Sequence, residues 1–215
     1  MASSADDSEL RNYDVDDFVV DYIKYRIECD DNYTWYDAPE TTSEFVDEYY
    51  AVRKVAQTFE TRYTKRFEQE IKRLLAAGPL TYNYFNEVLD EFIDSVGEDG
   101  KKLSYSRLIA VLAFSGYYAR KLAELDAKKT ANDGHDYRSD ITHLSIYASK
   151  RLEKKIAESW GDGYSWMIEK FNKNQDKRIT ELSAWDPLMV QIGGYFLAAA
   201  TVIGGFMIYW RSRKE

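Results

Sequence analysis

The sequence of 215 residues has little of what crosslinks, bends or breaks a chain: one cysteine, three prolines and eleven glycines. The single cysteine, Cys29, excludes an intramolecular disulfide, which fits a reducing compartment or a fold that needs no crosslink. Scarce proline and glycine favour long helices over a β fold with many turns. Positive charge is also in deficit, because 29 Lys and Arg face 37 Asp and Glu. The net charge of −8 argues against a general affinity for nucleic acid or anionic lipid.

The residue patterns that mark an enzyme are missing as well. His135 falls in a polar loop and His143 at the start of a predicted helix, with no partner at metal-ligand spacing. Neither a glycine-rich phosphate loop nor a nucleophile elbow is present. The carboxylates fall on predicted solvated faces or near helix starts. The sequence therefore predicts no catalytic residue, no metal site and no cofactor.

One long stretch lacks charge altogether. The 23 residues from Leu188 to Trp210 carry none, and as a helix they would span roughly 30 Å of hydrocarbon. We expect a transmembrane tail anchor rather than a buried core helix, with the bulk of the protein on the cytosolic side. The basic tail, 211–215, would then cross the membrane. The residues expected to anchor the span are Ile192, Phe196, Leu197, Val202, Ile203, Phe206 and Trp210.

Apolar periodicity divides the rest of the chain into helices. The predicted helices run over 15–28, over 44–77 with a bend or break near Tyr63–Thr64, over 82–96, over 104–127 and over 141–160, followed by a short helix to Phe171. The domain prediction is a mobile acidic N-terminus (1–14), a helical bundle (15–172), a linker (173–187), the anchor and the tail. Leu108 to Phe114 is apolar throughout, which predicts a central helix buried on every side.

Two of these helices allow two interpretations. The helices over 104–127 and 141–160 form a hairpin of about a bilayer's thickness. We expect it to be a buried core hairpin rather than a membrane-inserting pair, because the second helix is strongly charged. The charges are Lys150, Arg151, Lys154 and Lys155.

The helix over 44–77 carries a stripe of large apolar residues, which suits either core packing or binding. The stripe consists of Val52, Val55, Phe59 and Tyr63, and we expect Arg53, Lys54, Glu60 and Arg62 on the opposite face.

The ordered motifs of this chain resemble those of the B-cell-lymphoma-2 family of apoptosis regulators. Asp17 to Ile27 looks like the family's fourth homology motif, and Tyr33-Thr34-Trp35 looks like the aromatic patch that follows it. Val52 to Tyr63 is similar to the third motif, Gly97 to Gly116 to the first and Trp160 to Phe171 to the second. The order four, three, one, two, then an anchor, is the family's order.

The resemblance implies an all-α bundle of about eight helices around a central hydrophobic hairpin, with a groove that accepts a partner's third-motif helix. Recognition of this kind places apolar anchors at i, i+3, i+4 and i+7 into pockets, while a charge pair fixes the register. By motif match, Arg107 would receive the partner's aspartate; the alternative is an internal pair with a local carboxylate such as Asp99. The implied groove residues are Phe59, Tyr63, Phe67, Val88, Phe92, Tyr105, Arg107 and Phe171.

Departures from the family pattern bear on the direction of function. Tyr105-Ser106 stands where the family prefers Trp-Gly, and Gln57 stands where its third motif has an aspartate. A strong fourth motif beside a degraded third one favours a guardian that sequesters pro-death helices. The alternatives are a pore former of the Bax or Bak type and a tail-anchored adaptor without a working groove.

The expected partners are amphipathic helices of pro-apoptotic relatives, both Bax/Bak-like and Bim/Bid-like, and no nucleic acid. Dimerisation, with itself or with a relative, stays open. The expected location is the cytosolic face of the mitochondrial outer membrane, with the endoplasmic reticulum as the alternative.

Overall fold

A computed structural model describes residues 14–29, 33–42, 46–76, 81–94, 103, 105–130 and 133–161. Five α-helices account for most of this part of the chain, which contains no strand. They are α1 (Val15–Glu28), α2 (Val46–Ala76), α3 (Thr81–Asp94), α4 (Tyr105–Lys128) and α5 (Tyr137–Trp160). The predicted all-α class is therefore confirmed.

Helix α1 has the bounds that its apolar period predicts. Its N-cap is Asp14, whose carboxylate accepts a hydrogen bond from the backbone N–H of Asp16 at 2.9 Å. Asp16 and Asp17 in the first turn complement the helix dipole, and Arg26 in the last turn does the same at the other end. Sequence, cap and dipole agree on the same helix.

Helix α4 is the centre of the bundle and contacts each of the other four helices. Every residue from Leu108 to Phe114 is buried, as the uninterrupted apolar run predicts. The close pairing of α4 with α5 also agrees with the expected core hairpin. This arrangement brings α1, α2 and α3 onto one central scaffold.

The start of α5 differs from the prediction. The helix begins at Tyr137, one turn before the predicted Ile141, so residues 137–140, which precede the predicted helix, are helical. The physical reason is an N-cap at Asp136, whose side chain accepts from the backbone N–H of Ser139 at 3.1 Å. His143 therefore lies in the second turn rather than at the start.

Helix α2 continues through Tyr63 and Thr64 without a break over its 31 residues. The Thr64 hydroxyl donates to the carbonyl oxygen of Glu60 at 2.8 Å, so this threonine is accommodated within the helix.

No described helix combines the length and apolar character needed to cross a bilayer. The predicted anchor over 188–210, the linker and the short helix to Phe171 lie outside the described residues, as does the N-terminal segment before Asp14.

Candidate partner-binding site

The three predicted groove residues of α2 lie on one side of that helix. The ring centroids of Phe59 and Tyr63 are 4.6 Å apart, and those of Phe59 and Phe67 are 6.2 Å apart. Both phenylalanines are buried, whereas Tyr63 is half-buried at the edge of the core. Helical spacing therefore identified a real aromatic row, most of which faces inward.

Helix α3 brings its predicted groove residues to the same place. Val88 and Phe92 are buried, and the Phe92 ring centroid lies 5.5 Å from that of Phe114 on α4. Phe67 approaches Phe114 from α2 at 5.4 Å, edge to face. The structure thus joins the predicted residues of α2 and α3 through Phe114, an aromatic contact worth about 0.5–1.5 kcal/mol per pair beyond burial.

The centre of this aromatic cluster was not among the predicted site residues. Phe114 also stacks with Phe85 at 6.0 Å and 4°, and Phe85 stacks with Tyr118 at 5.5 Å and 6°. The signal was present in the sequence, because Phe114 ends the apolar run that predicts the central helix. We name this set the aromatic cluster: Phe59, Phe67, Phe85, Phe92, Phe114 and Tyr118.

Arg107 lies in the first turn of α4 and is 3% exposed. Burial lowers the pKa of its guanidinium, which nevertheless stays charged at neutral pH. A cation at a buried position strongly favours contact with an anion. Tyr105 is the first residue of α4, and its side chain lies outside the described part, as does Asp99, the alternative partner considered for Arg107.

The apolar side of the chain's own third-motif segment faces the core. Val52, Val55, Ala56 and Phe59 are all buried. The segment is therefore a structural part of the bundle in this conformation, and its apolar stripe serves the core packing that the sequence allowed.

The polar residues of the same segment are bonded to α1. Arg53 donates from Nε to Asp21 at 2.9 Å, and the Tyr25 hydroxyl donates to the Gln57 side chain at 2.8 Å. These partners are each 32 residues apart, so α1 and α2 lie parallel and in a constant register. The fourth motif thus holds the third motif by side chain to side chain contacts.

The prediction that Glu60 lies on the outer polar face was wrong. Glu60 is buried and accepts from Arg26 Nε at 2.6 Å, with a second contact from Arg26 Nη2 to the other carboxylate oxygen. The physical reason is the countercharge, because a carboxylate enters a core when a guanidinium binds it bidentately. The sequence held a weak signal, since Arg26 interrupts the buried apolar stripe of α1.

A glycine makes room for this ion pair. A Cβ atom on Gly116 would lie 2.6 Å from Tyr22 Cε1 and 2.8 Å from Arg26 Cγ. Helix α1 therefore packs directly on the backbone of α4 at this point. Sequence reasoning did not single out Gly116, because the contact depends on how two distant helices cross.

Helix α3 is connected to α5 by a charge ladder of five residues. Asp90 accepts from Arg151 Nε at 2.6 Å and from the Tyr147 hydroxyl at 2.8 Å. Asp94 accepts from Arg151 Nη2 at 2.7 Å and from Lys155 Nζ at 3.1 Å. Two of the α5 charges noted in the sequence thus hold the helix that carries Val88 and Phe92.

The remaining predicted site residues lie outside the described residues. They are Phe171 and the seven anchor positions Ile192, Phe196, Leu197, Val202, Ile203, Phe206 and Trp210.

Comparison with known proteins identifies relatives of this chain. No protein-family model matches the chain. The apoptosis regulator ced-9 of Caenorhabditis briggsae is 28% identical over 183 residues, covering 79% of this chain and 64% of that protein. Its Caenorhabditis elegans counterpart is 26% identical over 161 residues, covering 74% and 54%. The chain thus spans between half and two thirds of the length of these curated relatives.

Two solved structures share the fold. The structure of Caenorhabditis elegans CED-9 aligns with a TM-score of 0.61 at 24% identity, covering 80% of this chain and 96% of that one. A crystal structure of a CED-9/EGL-1 complex aligns with a TM-score of 0.57 at 22% identity, covering 76% and 95%. The helical fold is therefore that of CED-9, and the resemblance to the B-cell-lymphoma-2 family found in the sequence is confirmed.

Proposed function

We propose that this chain, whose relatives and fold are those of B-cell-lymphoma-2 apoptosis regulators, is a guardian that holds the death-motif helix of a pro-apoptotic partner in a hydrophobic groove. The groove would lie beside the aromatic cluster, between α2, α3 and the start of α4. Binding would keep the partner from permeabilising the mitochondrial outer membrane.

The observation that carries this proposal is the state of the chain's own third-motif segment. Its apolar stripe is buried, and Arg53, Gln57 and Glu60 are each bonded to α1. A pore former must expose this segment, which here requires breaking a buried ion pair and two further polar contacts. A guardian keeps the segment in place and offers its groove to another helix.

Arg107 supports the charge half of the recognition. A partner's aspartate would enter a mostly dry site beside a buried guanidinium, where a charge-assisted hydrogen bond is strong. The partner's apolar residues at i, i+3, i+4 and i+7 would pack against Tyr63, Val88 and Phe92. Because Phe92 and Val88 are buried in the unliganded chain, the partner would gain access as α3 shifts on α4.

The relatives support the same direction. The matched curated proteins are named apoptosis regulators, and one of the matched structures is a complex of CED-9 with EGL-1. For this chain we propose a partner helix of the same general kind, from Bax/Bak-like or Bim/Bid-like proteins.

A membrane anchor completes the proposal. The uncharged stretch Leu188 to Trp210 and the basic residues after it fit a tail anchor in the mitochondrial outer membrane, with the bundle in the cytosol. Expression of the full chain with a fluorescent N-terminal tag, compared with a chain in which Val202 and Phe206 are changed to Asp, tests this location. Loss of membrane fractionation in the double variant is expected, and unchanged fractionation would contradict the anchor.

The groove is tested with the full chain reconstituted into dye-loaded liposomes of mitochondrial lipid composition. A synthetic third-motif peptide should bind tightly and release no dye. Arg107→Ala should weaken that binding by about 2–5 kcal/mol, because the peptide's aspartate loses its partner in a dry site.

Two controls make the result specific. Lys24→Ala removes an exposed cation from α1 and should leave the affinity unchanged. A peptide with its aspartate changed to alanine should bind the wild type weakly and lose little more on Arg107→Ala. Dye release on peptide addition would instead assign the chain to the pore formers, and affinity unchanged in Arg107→Ala would favour an adaptor whose groove has no role.

A further inference from the structure

Two neighbouring cavities open at the end of the bundle where α4 turns into α5. One, of about 220 Å³, lies between residues 33–37 of the α1–α2 connection, the last turns of α4 and the start of α5. The other, of about 500 Å³, is more open and polar and lies over the turn itself. They share two lining residues, Asp126 and Arg138, so they form one continuous concave face.

The smaller cavity has an unusual aromatic lining. Tyr36 is 75% exposed, although it lies beside buried Trp35. Trp35 is 5% exposed, and its indole Nε1 has no hydrogen-bond partner in the described part of the chain. A buried indole N–H normally finds an acceptor, but this nitrogen is itself shielded from solvent, so it is not open to a ligand in this conformation.

One internal cation already shows what this face can hold. The Arg138 guanidinium carbon lies 5.6 Å from the centroid of the Tyr36 ring, and Arg138 Nε donates to Asp126 at 2.7 Å. The Arg138 side chain is nevertheless 57% exposed, so solvent can compete for it. The hydrogen bond to Asp126 raises the pKa of the Arg138 guanidinium, and the charge of Asp37, next to Tyr36, adds to this effect.

The rim is acidic on balance. The carboxylates of Asp37, Asp126, Asp133 and Asp136 outnumber the two cations that line the cavities, Lys129 and Arg138. The whole chain is acidic as well, with a net charge of −8. Charge complementarity therefore selects a basic occupant.

We propose that this aromatic and acidic face binds an arginine-bearing segment of a partner protein. The partner's guanidinium takes the place that Arg138 marks, over the Tyr36 ring and beside Asp126 and Asp37, and Arg138 turns to solvent. The aliphatic part of that side chain packs beside Trp35 and Ile141, which line the smaller cavity.

The face is separate from the proposed groove. Asp126 and Arg107 are both on α4, 19 residues apart, which corresponds to about 28 Å along the helix axis. Ligands at the two places do not overlap, so a partner helix and a basic segment can be bound together. This inference does not depend on the groove.

The test uses the full chain in detergent and an acetylated, amidated octapeptide of alternating glycine and arginine. A titration gives the affinity of the peptide. The NMR signal of the Trp35 indole N–H, which is assigned by its loss in Trp35→Phe, is recorded at each step. We expect saturable binding with a shift of that signal, because the peptide binds beside Trp35. Citrulline in place of arginine should abolish binding, because citrulline keeps the shape and loses the charge.

Some variants should weaken binding of the peptide and another should strengthen it, which together test where the peptide binds. Tyr36→Ala and Asp37→Asn should each weaken binding by a factor of about three to five, the range for an exposed cation–π contact or ion pair. Arg138→Ala should strengthen binding, because it vacates the place. Asp16→Asn and Lys24→Ala, which change exposed charges on α1, should have less than half of these effects.

Three results would overturn the proposal: no saturable binding, an unmoved Trp35 signal, or equal effects of Asp16→Asn and Asp37→Asn. Equal effects of these two variants would mean that the peptide binds through the general negative charge of the chain and not at this face. Affinity for the third-motif peptide serves as a separate readout, since Tyr36→Ala should leave it unchanged. A chain that binds one peptide and not the other separates failure of this proposal from failure of the groove.

Discussion

Arg26 on α1 and Glu60 on α2 form a buried bidentate ion pair at the contact between the fourth and the third motif. Burial by itself would lower the pKa of the Arg26 guanidinium, but the hydrogen bonds and the charge of Glu60 raise the pKa instead. Each partner depends on the other for its countercharge inside the bundle.

Glu60→Gln should therefore destabilise the chain by about 3–5 kcal/mol, because it leaves the Arg26 charge buried without its carboxylate. Arg26→Met combined with Glu60→Met should cost much less than the sum of the single changes. Urea denaturation of the wild type, Arg26→Met, Glu60→Met and the double variant gives the coupling energy. Glu68→Gln is a control at an exposed position of the same helix. Additive effects would contradict an energetically coupled pair.

Gly116→Ala should destabilise by about 1–3 kcal/mol, since the new Cβ meets two side chains of α1 that are already fixed. The gain in helix propensity, about 1 kcal/mol, offsets only part of this. Gly134→Ala is the matched control, because a Cβ there has nothing within 4 Å. Thermal unfolding of both variants distinguishes a tight helix crossing from a general glycine effect, and equal melting temperatures would argue against the crossing.

Asp94 predicts a pH dependence of the α3–α5 contact. Partial burial would raise the pKa of its carboxyl, but the hydrogen bond from Lys155 and the charge of Arg151 outweigh this and lower the pKa below its ordinary value. A carboxyl with a lowered folded-state pKa stabilises above its unfolded value, about 3.9, and loses that contribution as the pH falls through the folded value.

The melting temperature of the wild type should thus fall more steeply below about pH 4 than that of Asp94→Asn, and the two should converge at the acid end. Glu87→Gln, which changes an exposed carboxyl on the same helix, is the comparison. Parallel curves for wild type and Asp94→Asn would show that the ladder contributes nothing in solution.

Asp136→Ala should destabilise by about 0.5–2 kcal/mol, because it removes the side-chain acceptor at the N-terminus of α5. Asp136→Ser keeps a capping oxygen and should recover most of the loss. Hydrogen exchange at the amide of Ser139 reports the cap directly. Unchanged protection in the alanine variant would mean that α5 begins without it.

Local signals allowed the helices to be predicted from the sequence, while tertiary contacts were out of reach. Asp14 and the apolar period of α1 fix that helix independently of its neighbours, whereas the cap at Asp136 is hidden among the polar residues of a loop. The apolar run that ends at Phe114 identified the central helix, because a helix segment that is apolar on every side is buried on every side. Glu60 was assigned to the surface, since periodicity treats every charge as solvated and cannot see a countercharge 34 residues away.

The candidate site followed the same division. Helical spacing and the family resemblance selected Phe59, Phe67 and Phe92, which the structure brings together. Their shared contact with Phe114 and the charge ladder between α3 and α5 depend on how separate helices cross. No local sequence pattern predicts such a crossing.

The side-chain contacts between α1 and α2 have an evolutionary consequence. Asp21 with Arg53, Tyr25 with Gln57 and Arg26 with Glu60 are expected to change together among relatives, because a lone substitution strands a polar group inside the bundle. Substitutions in the two motifs would then be correlated, and the residues tolerated in the third motif would depend on those present in the fourth.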